Sequence, residues 1–170
     1  MRDSKKILHA WDAYSDEHTD LDGWPHDNDA YGLRASQRDA DTAEAFETVR
    51  YGARHLLATA ETQLTRLPED MVQSRWVYQL GVLRDALDRL DELHEQWLLT
   101  RDALPATAKP GTPDFDDALA ERHAESWSYL DDWATHGKAL REINTAARKA
   151  PSQLVPTPAL APAQRTAARK

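Results

Sequence analysis

In two long stretches the apolar side chains recur every three or four residues, a spacing that commits most of this chain to long amphipathic helices. Phe46, Val49, Ala53, Leu56, Ala60, Leu64 and Leu67 step by 3, 4, 3, 4, 4 and 3. Trp76, Leu80, Leu83, Leu87, Leu90, His94 and Trp97 step by 4, 3, 4, 3, 4 and 3. This alternation is that of the a and d positions of a helical bundle seam, where one stripe of each helix faces its partners. A third stripe follows in Phe115, Leu119, His123, Trp127, Leu130, Trp133, Gly137, Leu140 and Asn144. No stretch alternates with the period of two that a strand requires.

Punctuation divides the stripes into elements. A first helix is expected from Ser4, a suitable N-cap, to about His18, with Ile7, Leu8, Trp11 and Tyr14 on one face. The run from His18 to Asp29 holds Gly23 and Pro25 among turn-forming residues and reads as a loop. The second helix is expected to begin near Ser36 or Asp41 and to stop at Leu67, before Pro68. A third should start at Pro68, whose neighbours Glu69 and Asp70 suit a first turn, and continue to about Leu104. After a connection at Pro105 to Gly111, Thr112 caps a last helix that runs to about Lys149.

The expected fold is therefore all-α. It is an elongated, antiparallel, coiled-coil-like three-helix bundle with a shorter N-terminal helix and a disordered C-terminal tail. Residues 1–33 form the short helix and acidic loop, residues 34–150 the bundle, and residues 151–170 a Pro/Ala-rich basic tail. Long helices with narrow apolar stripes draw most of their stability from packing, so a homo-oligomer that completes the bundle is expected.

Composition removes several classes of function. The chain has no cysteine, which excludes disulfides, thiolate metal sites and cysteine nucleophiles, and fits a cytoplasmic protein. Neither a membrane span nor a secretory leader is evident. The six glycines are isolated, so no phosphate-binding loop is formed, and no serine sits in a nucleophile elbow. No cofactor is expected. Net charge is −8, distributed as three basic and eight acidic side chains over 1–33, 15 and 21 over 34–150, and three and none over 151–170. Such a body repels phosphates, leaving the tail as the only handle for nucleic acid, unless the body itself competes as a phosphate mimic. With 27 Ala and 15 Arg against 6 Lys and 2 Ile, residue usage fits a high-GC bacterium or its plasmid or phage.

Three sets of residues are candidates for chemistry or binding. Counting from the loop between the last two helices puts His94 and His123 in one layer, and counting across the turn near Pro68 brings Glu44 and Glu47 within a turn of it. Imidazoles and carboxylates in a bundle core suit zinc, iron or manganese. The alternative is a pair of core histidines hydrogen-bonded to carboxylates; His55 and His136 form a similar, weaker pair. Asp20, Asp22 and Asp29 fall at calcium-ligand spacing, although His18 stands where the first acidic ligand belongs, and a solvated turn is the simpler reading. Trp11, Tyr14, Trp24 and Tyr31 lie where little core is available to cover them, and are candidates for partner binding. The expected function is non-enzymatic action through contacts with a protein partner or a second copy, with a metal-binding bundle or a nucleic-acid-associated accessory protein as alternatives.

Overall fold

The computed structural model describes residues 2–150. All regular elements there are helical: α1 (Arg2–His18), α2 (Asn28–Arg66), α3 (Ser74–Ala103), α4 (Pro113–His136) and α5 (Lys138–Lys149), with a 3-10 turn at Glu69–Met71. The basic tail expected over 151–170 lies outside the described residues.

The second helix begins earlier than its apolar seam. Asp27 accepts hydrogen bonds from the backbone N–H groups of Asp29 and Ala30 and so fixes the start of α2 at Asn28 rather than near Ser36 or Asp41. The extra turns have their own partner, because Tyr31 and Arg38 face the aromatic side of α1. α2 accordingly passes without interruption through position 34.

Pro68 does not open α3. It follows the extended Leu67 that ends α2, the 3-10 turn closes through Met71 N–H to Pro68 O at 2.9 Å, and Val72 and Gln73 are extended before α3 starts at Ser74. The start of α4 is as expected, with Thr112 at the cap and Pro113 in the first turn, which lacks no donor it needs. Gly111 precedes the cap at φ +91°, a conformation natural to glycine, and its N–H donates to Asp116 Oδ1 at 3.0 Å. The expected single last helix is interrupted once, at Gly137, which divides α4 from α5.

α4 packs against α3, α2 and α1, and α5 packs against the C-terminal half of α2 and against α3. The core holds Phe46, Leu57 and Ala60 from α2, Trp76, Leu83 and Leu87 from α3, Leu130 and Trp133 from α4, and Ile143 from α5. Phe46 and Trp133 meet edge to face with centroids 5.4 Å apart. One seam residue is displaced: Leu57 is buried, whereas Leu56 is 46% exposed. Charged pairs clamp the outside, with Arg54 reaching Asp88 at 2.9 Å and Asp91 at 2.6 Å, Arg84 pairing with Glu61, and Arg75 with Glu142.

Candidate functional site

The expected histidine layer is brought together in part. Glu47 and Arg122 are charged neighbours of both His94 and His123, so α2, α3 and α4 converge there. Glu44 is exposed. The layer also contains two guanidinium groups. Glu47 Oε1 lies 3.5 Å from Arg50 and 3.7 Å from Arg122, and both arginine side chains are mostly buried. Burial and then the Arg50 and Arg122 charges hold His94 below the ordinary imidazole value, against the weaker pull of Glu47 and Asp91. Burial and Arg122 do the same to His123, and burial also lowers Arg122. His94 Nδ1 and Arg122 Nε are buried with no hydrogen-bond partner among the described residues. A divalent ion would meet two fixed positive charges with Glu47 already between them. Among the described residues no three His, Asp or Glu side chains converge to hold a metal, here or elsewhere. In the second pair, His55 is exposed and His136 meets Tyr78 edge to face.

The acidic loop is organised by its own backbone. Asp20 Oδ1 accepts from the N–H groups of Asp22 and Trp24, Thr19 and Pro25 pair across the loop, and Gly23 turns the chain at φ +83°. Asp27 caps α2 as described, so Asp20 and Asp27 are both turned toward N–H groups. Asp20, Asp22 and Asp29 form no ligand cluster. This loop is an internally hydrogen-bonded knuckle that carries Leu21 fully exposed and Trp24 70% exposed.

The other three aromatic candidates pack together. Trp11 meets Tyr31 edge to face at 5.0 Å, Tyr14 lies 6.1 Å from Tyr31 and stacks on His18 at 3.9 Å, and Ser15 Oγ is 2.8 Å from the Tyr31 hydroxyl. These contacts seat α1 on α2. Behind them Arg38 is buried between Trp11 of α1 and Trp127 of α4, with its guanidinium carbon 4.3 and 3.9 Å from the two rings. Its Nε donates to Asp39 at 2.8 Å, and burial raises the Asp39 carboxyl above its ordinary value against the opposing pull of Arg38.

Arg38, Arg50 and Arg122 are not among the sequence candidates, because they lie off the apolar stripes of their helices. The signal available for Arg38 was its place one residue before an aspartate and opposite an aromatic-rich helix. A surface feature was missed as well. Met71, Gln73, Trp76, Lys138, Arg141, Glu142, Thr145, Ala146 and Lys149 line a groove of about 480 Å³ between the start of α3 and α5. Glu142, its one carboxylate, accepts from Trp76 Nε1 and Arg75, both at 2.9 Å. The Trp76 bond first and the Arg75 charge after it hold Glu142 below the usual carboxylate range. Lys138, Arg141 and Lys149 are exposed around it. A smaller groove of about 230 Å³ runs alongside, lined by Leu56, Ala60, Leu140 and neighbours on α2 and α5.

Among the described residues no helix is long and apolar enough to cross a membrane. No family model, curated protein or solved structure matches the chain.

Proposed function

We propose that this chain is a non-enzymatic helical protein that acts through protein–protein contacts, as a homo-oligomer, a subunit of a larger assembly or an adaptor. In this reading α2, α3 and the α4–α5 pair are an elongated three-helix bundle of coiled-coil type, with α1 laid across it. Its setting is the cytoplasm of a high-GC bacterium, or that of the host of its plasmid or phage.

The observation that carries the reading is the set of large apolar side chains left exposed on the helices and the acidic loop although the inner faces of the helices are already packed. Trp24, Leu33, Tyr51, Tyr78 and Leu99 are each more than two-thirds exposed. Tryptophan and tyrosine, which supply three of these five, are enriched where proteins meet. The buried charges support the same reading, because Arg38, Arg50 and Arg122 are engaged with aromatic rings or carboxylates that join helices.

The test is cross-linking in living cells with a photoreactive amino acid placed at Trp24, Tyr51, Tyr78, Leu99 or Thr145. Discrete protein adducts at one or more of these positions, to a second copy or to another chain, are expected. Absence of protein adducts at all five, or purification as a monomer with a tightly held small molecule, would overturn the proposal.

A further inference from the structure

We propose that the acidic, Trp24-bearing loop of one copy docks in the basic groove between α3 and α5 of a second copy, joining the chains head to tail. This rests on the protein-contact reading above and names the partner and the two surfaces.

Charge is segregated along the molecule. Between Asp16 and Asp29 there are six carboxylates and no lysine or arginine, whereas α5 carries four basic side chains and one carboxylate. That carboxylate, Glu142, is taken by Arg75 and Trp76, so the groove presents Lys138, Arg141 and Lys149 around a floor made by Met71, Trp76 and Ala146. At about 480 Å³ the groove falls in the size range of small-ligand pockets. The loop supplies the matching parts. Asp22 accepts no hydrogen bond from within the loop, and Leu21 and Trp24 project from a knuckle already held by Asp20, Gly23 and the Thr19–Pro25 pairing. A preformed loop gives up little conformational freedom on docking, and an exposed tryptophan among charges is the kind of side chain that anchors interfaces.

The two surfaces belong to opposite ends of the molecule. The loop adjoins Asn28, the first residue of α2, while α5 is tied to α2 by Gln63 donating to Asn144 at 3.1 Å. The 35 steps from Asn28 to Gln63 span ~52 Å at ~1.5 Å per residue, too far for the loop to reach its own groove. The complementarity is therefore met between molecules. Each copy offers one loop and one groove, so the contact is heterologous and chains extend until a ring closes. A nucleic acid is a poor occupant of this groove, since residues 1–150 as a whole carry 29 acidic against 18 basic side chains, a net charge of −11 that repels phosphates.

The test uses the full chain and two double variants, Asp22→Lys/Trp24→Ser in the loop and Lys138→Glu/Arg141→Glu in the groove, in sedimentation velocity at about 50 mM salt, where charges are weakly screened. All four positions are exposed, and circular dichroism checks that each variant folds as the wild type does. The wild type is expected to self-associate, and each double variant at least about tenfold more weakly. Mixed in equal amounts, the two variants should form a one-to-one pair and nothing larger, because the mixture contains one competent loop and one competent groove. The proposal is overturned if the wild type stays monomeric, if either variant associates like the wild type, or if the mixture fails to pair. Self-association that survives both double variants would remove this interface while leaving action through protein contacts intact, and cross-links to a different protein alone would do the same.

Discussion

Arg38 shows how a single side chain can hold three helices in register. Its guanidinium lies between the half-buried Trp11 and Trp127 rings while its Nε bonds Asp39, with Arg38 and Asp39 both buried. Replacing it by leucine strands a buried carboxylate, and truncating one partner of a buried pair costs about 3–5 kcal/mol. Arg38→Leu is expected to lower unfolding stability in urea by that amount, and Arg38→Leu/Asp39→Leu to recover most of it. A loss below about 1 kcal/mol in the single variant would show the pair to be solvated. The histidine layer predicts a pH dependence with a definite sign. His94 faces Glu47 and Arg50 of α2, Arg122 of α4 and Asp91 of its own helix, and His123 faces Glu47 and Arg122; both are held below the ordinary imidazole value. The unfolded chain thus takes up these protons first. Their contribution is fully present above about pH 6.5 and is lost as pH falls from there toward the depressed folded values. His94→Gln/His123→Gln should flatten the stability profile below about pH 6.5, and an unchanged slope in urea titrations would contradict the assignment.

Among the elements, α2 gives the clearest test of register. Leu57 is 5% exposed in the core and Leu56 borders the shallow groove against α5. Leu57→Ala is expected to cost about 2–5 kcal/mol, whereas Leu56→Ala should stay within about 0.5 kcal/mol. Equal costs would mean the helix is rotated from the position described. The N-cap is a separate, smaller term: Asp27→Ala removes the acceptor for two N–H groups and should lower stability by about 1 kcal/mol. Helix existence was legible because the apolar spacing of α2, α3 and α4 repeats over many turns. The choice between Leu56 and Leu57 was not, since steps of three and four both return to one face and only the neighbouring helices decide between them. The start of α2 was misplaced for a related reason. Its first turns pack on α1 through Tyr31 and Arg38, which do not look like a core stripe. Counting from the loops puts His94 and His123 in one layer and Glu44 and Glu47 within a turn of it, but it cannot show Arg50 and Arg122, whose long side chains reach in from adjacent positions.

At the scale of the whole molecule, the organising feature is a charge dipole laid along a long helical body. α2 sets the length, the acidic knuckle before Asn28 forms one end, and α5 with its basic groove forms the other. Alignment of such ends favours approach of a second copy end to end, and salt should weaken that approach because the charges are exposed. The most direct measurement is the weight-average mass of the unmodified chain as its concentration is raised, at about 50 mM and about 500 mM salt. The mass is expected to climb with concentration at low salt and to fall back toward one chain at high salt. A mass of one chain at every concentration and both salts would contradict end-to-end association.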